Sequence, residues 1–176
     1  MTADADITSR PGWWSGAAEP DWSAVYKDQL PRIYNYFRYR FGAGADAEDL
    51  TARTFEKAWR ARRRYRRDLA GFATWLLRIA RHVAIDHLRA ARAHAPLDAA
   101  LDAHAPGGPE QEQAEHSDSS RLAALLAQLP ERERELLSLK YGAGVSNREI
   151  ARVTGLSESN VGTILHRTVQ TLRERW

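Results

Sequence analysis

The stretch Ser146-NREIARVTGLSESNVGTILH-Arg167 decides how the chain is read. Ser146 followed three residues later by Glu149 makes a capping box, in which each side chain satisfies a free backbone N–H at a helix start. The helix it opens is short, because Gly155 supplies the left-handed conformation a tight turn needs. Ser157 then caps a second helix that runs to the end of the sequence. Ala151 is small enough to let the two helices cross closely, and Ile150, Leu156, Val161 and Ile164 fall where packing would fix their angle. These residue types at these spacings predict a helix-turn-helix. They leave Ser157, Glu158, Ser159, Asn160, Thr163, His166 and Arg167 on the exposed front of the second helix. Asn can pair bidentately with adenine, Arg with guanine, and the helix N-terminus favours a phosphate. The alternative is a helical hairpin with an ordinary solvated face.

Upstream of this pair, Leu122, Leu125, Leu126 and Leu129 predict a helix that stops before Pro130. Pro130, Glu131 and Glu133 open the next one, with Leu136, Leu137 and Leu139 on its buried face and YGAGVS as a turn. Residues 93–120, AHAPLDAALDAHAPGGPEQEQAEHSDSS, are rich in Ala, Pro, Gly and acid and carry no aromatic. They are expected to form a flexible linker. Residues 1–21 read as a loose tail, in which Trp13 and Trp14 have no assigned role.

Between tail and linker, residues 22–92 show helical periodicity and no strand-like alternation. Trp22, Val25, Tyr26, Leu30, Ile33, Tyr34, Phe37 and Phe41 form one stripe, with a kink expected at Pro31. Gly42 and Gly44 break it, and Asp46 is the expected cap of a helix through Leu50, Phe55 and Trp59. Phe72, Trp75, Leu76, Ile79, Val83, Ile85 and Leu88 mark a third helix ending near Arg92. The expected fold is therefore all-α, with two small helical domains, 22–92 and 121–176, on a flexible acidic tether.

Charge supports that division. Residues 1–23, 24–92, 93–120 and 121–176 carry net −3, +9, −6 and +3, within a chain of +3. Two basic modules separated by an acidic segment suit a polyanion engaged at two places. In the first module Arg60, Arg62, Arg63, Arg64, Arg66 and Arg67 surround Tyr65, shortly before Phe72 and Trp75. Arginines that hold phosphates beside rings that stack on unpaired bases form a composition suited to single-strand capture. The competing reading is a solvated charge run flanked by core aromatics.

Other functions find little support. The chain has no cysteine, which removes disulfides and thiolate metal sites and leaves the cytoplasm as the default address. The N-terminus has no basic start followed by an apolar run, and Arg78 and Arg81 interrupt the most apolar stretch, so neither an export signal nor membrane insertion is expected. His82, Asp86 and His87 could gather a metal ion, yet only His82 and Asp86 share a helix face, and neither a metal nor another cofactor is expected. No cluster of carboxylates or histidines suggests a catalytic site.

At this point the motifs DAEDL (Asp46–Leu50), TFEKAW (Thr54–Trp59), FATWLLRIARHVAIDHLR (Phe72–Arg89) and LPERERELLSLKYGAGVSNREIA (Leu129–Ala151) resemble a known family. It is the extracytoplasmic-function (ECF) group of bacterial sigma factors, which keep only the second and fourth sigma domains. The resemblance covers Trp22–Arg92 and Arg121–Trp176. It implies a transcription initiation factor that binds core RNA polymerase, directs it to specific promoters and assists their opening. Asp46, Glu48, Asp49, Leu50, Phe55 and Trp59 would dock on the polymerase clamp helices. Tyr65, Arg66, Arg67, Phe72, Trp75, Arg78, His82, Asp86 and Arg89 would read and melt the minus-ten element, and the helix-turn-helix would read the minus-thirty-five element. The linker would thread toward the polymerase active-site cleft, and an anti-sigma factor is a further implied partner. Ala52 and Arg53 stand where the family often has Gln and Glu, which implies that this part of the polymerase contact departs from the family's, and His82 stands where it commonly has Asn, which implies an altered minus-ten preference. The rival is a stand-alone helix-turn-helix regulator, since LSLKYGAGVSNREIARVTGLS also resembles response-regulator output domains. Such a protein would bind duplex DNA as a dimer without the DAEDL helix.

Overall fold

A computed structural model of the chain describes residues 22–66, 71–94 and 115–176, and every regular element among them is helical. The N-terminal domain holds α1 (Trp22–Phe41), α2 (Ala45–Ala61), a single 3-10 turn (Arg62–Arg64) and α3 (Phe72–His94). The C-terminal domain holds α4 (Glu115–Ala127), α5 (Glu131–Leu137), a π turn (Ser138–Gly142), α6 (Asn147–Thr154) and α7 (Glu158–Arg175).

In the N-terminal domain α1 and α3 both pack on α2. Ile33, Phe37, Leu50, Ala58, Leu76, Ala80 and Val83 form the core between them. Thr51 and Thr54 are buried on α2, and each hydroxyl donates to the carbonyl oxygen four residues back, of Ala47 (2.6 Å) and Leu50 (2.8 Å). These bonds satisfy groups whose burial would otherwise be costly. Helix α1 runs unbroken through Pro31. The start of α2 differs from expectation. Gly44, at φ 132°, is the N-cap and makes no side-chain bond, while Asp46 lies inside the first turn with Glu48. There both acids complement the positive end of the helix dipole instead of capping it.

Helix α4 starts at Glu115, inside the expected linker. The last helix breakers before it are Gly108 and Pro109, and Asp118 lies near the favourable N-terminal end. Of the expected tether, residues 95–114 lie outside the described residues, as do the tail 1–21 and, with them, Trp13 and Trp14. The end of α4 is closed by Arg134, whose Nη2 donates to the carbonyl oxygens of Ala127 and Leu129, both at 2.8 Å. This places a cation where a helix C-terminus is electrostatically negative.

The two domains pack against each other. Helix α1 makes its most extensive contact with the π turn, and α3 meets α6. The sequence stripe on α1 accounts for one buried face, but Gln29, Tyr36 and Arg40 are buried too. With Ile33 they form a second face at helical spacing, turned toward the C-terminal domain.

Candidate nucleic-acid interface

The helix-turn-helix is built as its residues require. Ser146 Oγ accepts from the Glu149 N–H at 3.2 Å, and the Glu149 carboxylate accepts from the Ser146 N–H at 2.9 Å. These bonds to Ser146 hold the Glu149 carboxyl below the usual carboxylate range. Gly155 adopts φ 79° at the end of α6, the left-handed region that a side chain would strain. Ile150, Val153, Val161, Ile164 and Leu165 are buried between the helices, and Arg148 on α6 reaches Glu158 on α7 at 3.5 Å.

Every sequence-predicted residue on this helix is exposed: Ser157, Glu158, Ser159, Asn160, Thr163, His166 and Arg167. Ser159, Asn160, Thr163, His166 and Arg167 fall within roughly 120° of arc on α7 at 100° per residue, one face that a major groove could receive. Ser157 is held as the N-cap by accepting from the Asn160 N–H at 3.2 Å. Arg167 reaches Glu133 at 3.5 Å, a contact that its 68% side-chain exposure leaves easy to break.

On α3, Trp75, Arg78, His82, Asp86 and Arg89 share a stripe about 80° wide. Arg78, His82, Asp86 and Arg89 are exposed, and Trp75 is half-buried. Asp86 pairs across to Lys57 on α2 at 3.2 Å, and the His87 ring packs edge-on to Phe41 at 5.1 Å. Among the described residues no group of three or more His, Cys, Asp or Glu could hold a metal ion, and no helix is long and apolar enough to cross a membrane.

The aromatic residues expected to capture bases touch one another. Tyr65, Phe72 and Trp75 lie pairwise 5.2–5.3 Å apart by ring centroid, and Trp22 joins Phe72 at 5.6 Å. Tyr65 is only 9% exposed, so in this conformation its ring packs the domain. Phe72 and Trp75 keep partly accessible edges. Arg66 is exposed and already engaged in a contact within the protein, and Arg67 lies outside the described residues. Of the remaining basic run, Arg60 pairs with Glu56 at 2.6 Å and Arg62 stacks over the Trp59 ring at 4.0 Å.

The third predicted surface lies on α2. Asp46, Glu48, Asp49 and Trp59 are exposed, Phe55 is half-buried against Tyr26, and Leu50 is 1% exposed. Leu50 therefore anchors the helix in the core and offers no side chain to a partner.

Residues 25–94 match the family model for Sigma-70 region 2, and residues 119–172 match that for Sigma-70, region 4. The chain is also 32% identical over 160 residues to the ECF RNA polymerase sigma factor SigF of Caulobacter vibrioides, covering 87% of this chain and 86% of that protein. This chain belongs to the ECF RNA polymerase sigma factors. This sigma factor is likewise 32% identical over 160 residues to the ECF RNA polymerase sigma factor BldN of Streptomyces coelicolor, covering 89% of its own length but only 61% of BldN. Its fold matches the sigma factor RpoE in the co-crystal structure with the anti-sigma factor NepR from Bartonella quintana. The TM-score is 0.74 at 21% identity, over 88% of this chain and 95% of that one.

One group of residues in this sigma factor was not singled out by its sequence. Between the domains, Arg40 donates through Nε to Glu131 and through Nη1 to Glu135, each at 3.0 Å, and through Nη1 to the Tyr36 hydroxyl. Arg81 on α3 donates to the same Glu135 oxygen at 3.0 Å. Burial pushes the Tyr36 phenol up to about 12. Burial also opposes the Arg40 charge, but Tyr36, Glu135 and Glu131 outweigh it and hold the guanidinium protonated. The only hint in the sequence is the helical spacing of Gln29, Ile33, Tyr36 and Arg40, which a search for apolar stripes passes over.

Proposed function

We propose that this sigma factor binds core RNA polymerase in the cytoplasm, directs it to promoters and helps open them, without a catalytic group of its own. The N-terminal domain, 22–92, presents α2 to polymerase and the α3 stripe to the minus-ten element. The C-terminal domain, 121–176, lays α7 in the major groove of the minus-thirty-five element. The supporting observation is the pairing, in one chain, of an exposed polar recognition face on α7 with a separate exposed stripe on α3. A single operator-binding module needs only the first. Two weak contacts on one chain reinforce each other through effective concentration. Capture of flipped bases by Phe72, Trp75 and the arginines around them would offset an unstacking cost of roughly a few kcal/mol. An anti-sigma factor completes the proposed set of partners, in keeping with the named complex of RpoE.

The test is transcription in vitro with core RNA polymerase, with and without this protein, on a library of promoter fragments. Specific initiation that needs the protein and is lost in Asp49→Ala/Trp59→Ala supports the reading. No stimulation on any template, with tight duplex binding by the protein alone, would establish a stand-alone regulator instead.

A further inference from the structure

A cleft of about 360 Å³ opens between α3 and α5, beside the Arg40 cluster. That volume suits a small molecule and is too small for a duplex. Arg81, Ile85, Leu88, Arg89 and Arg92 line it from one face of α3, within about 100° of arc at 100° per residue. Glu131, Arg132 and Glu135 line it from α5, and Arg40 from α1.

Charge in this cleft is unbalanced. Five arginines share it with two glutamates, which leaves an excess of three positive charges. Both glutamates are already engaged. One Glu135 oxygen accepts from Arg40 Nη1 and from Arg81 Nε, each at 3.0 Å, and Glu131 accepts from Arg40 Nε at 3.0 Å. Arg89, Arg92 and Arg132 are exposed, and among the described residues none of them forms an ion pair. A concave, low-dielectric wall focuses the field of such charges and draws in counter-ions.

The inner wall is also held in place. Gly142, at the end of the π turn, lies so close to α1 that an added Cβ would sit 2.7 Å from the Asn35 carbonyl oxygen. The Arg40 side chain beside it on α1 is 2% exposed. Groups fixed before a ligand arrives lower the ordering cost of binding it. Ile85 and Leu88, both half-buried, add an apolar patch next to the charges.

We propose that this cleft binds one small polyphosphate anion, an inorganic oligophosphate or the phosphate chain of a nucleotide. Guanidinium groups match phosphate oxygens in bidentate pairs. Linked phosphates carry several negative charges to arginines spread over two helices, whereas a monoanion meets one at a time. Arg92 on α3 and Arg132 on α5 hold the anion from the two walls, with Arg89 as a third donor. The ion pairs of Arg40 and Arg81 keep the inner wall in shape. The Ile85 and Leu88 patch would seat the body of a nucleotide and offers nothing to an inorganic chain, so the two sources differ in affinity. Only Arg89 is shared with the promoter reading above, and the site stands whether or not that reading does.

The test is calorimetric titration of the full chain at about 0.15 M salt, with inorganic tripolyphosphate and, separately, with ATP. At least one probe is expected to saturate at one molecule per chain. Arg92→Ala/Arg132→Ala removes two exposed side chains and should weaken that binding at least about tenfold while the melting temperature stays the same. Arg148→Ala/Arg167→Ala removes equal charge from the helix-turn-helix and should change it by less than about twofold. Arg132→Glu alone, which reverses one charge, gives the same reading should the first variant fold poorly. ATP binding tighter than tripolyphosphate would identify a nucleotide, and ATP binding no tighter would identify an inorganic chain; either upholds the site. No saturable binding of either probe below about 1 mM would overturn it. Equal affinities of the two double variants would overturn it too, by placing the anion outside the cleft.

Discussion

Arg78 and Arg152 join the two domains through one hydrogen bond, from the Arg78 guanidinium to the Arg152 carbonyl oxygen at 2.9 Å. Under the proposed function Arg78 would have two uses, one inside the molecule and one on promoter DNA. Arg78→Ala is expected to weaken the polymerase–promoter complex across all sequences alike and to lower the salt dependence of binding by about one counterion. Promoter affinity measured over a salt series checks this. An unchanged slope would remove Arg78 from the phosphate contacts.

Leu50 and Asp49 are neighbours with opposite fates. Leu50 is in the core and Asp49 is on the surface. Leu50→Ala is expected to cost about 2–5 kcal/mol of stability through the cavity it leaves. Asp49→Ala should leave the melting temperature nearly unchanged while weakening the association with core polymerase. Thermal unfolding and a polymerase pull-down on the same pair of variants separate the two roles.

Asn160 and Arg167 stand on the accessible arc of α7. If each reads a base edge, alanine at either should cost about 1–3 kcal/mol on the preferred minus-thirty-five sequence and relax the preference at one position only. Initiation from a set of single-base promoter variants reads this directly. A uniform loss at every position would make the residue a backbone contact.

The capping box gives a pH dependence with a defined sign. Bonds to Ser146 lower the Glu149 pKa in the folded protein. The carboxylate therefore stabilises the fold fully above its ordinary value of about 4.3, and that contribution is lost as pH falls through the depressed native value. Glu149→Gln should flatten this acid limb of stability. Ser146→Ala should cost about 1 kcal/mol at neutral pH. Denaturant melts between about pH 3 and 7 follow both effects.

The sequence disclosed the parts of this fold that repeat a local rule. Ser146, Glu149, Gly155 and Ser157 sit in the capping and turn geometries their types demand, and the exposed face of α7 followed from them. Asp46 misled, because an acid near a helix start serves the dipole from the first turn as well as from the cap. Tyr65, Phe72 and Trp75 were legible as a group, but spacing alone could not separate rings that pack together from rings that await a base. The domain interface was invisible for a different reason. Arg40 is far in sequence from Glu131 and Glu135, and all three individually resemble surface charges. Their burial is decided by how the domains meet, and Gly142 declares its purpose only once α1 lies against it.

The Arg40 cluster also gives the contact between the domains a defined response to heat. The hydration of charged groups weakens as temperature rises, because ordering water around them carries a large entropic cost. Exposing two arginines and two glutamates thus becomes harder on warming, while the conformational freedom gained by parting the domains grows in value. The two trends oppose each other, so the hold of this cluster on the contact between the domains should change little between cold and warm growth.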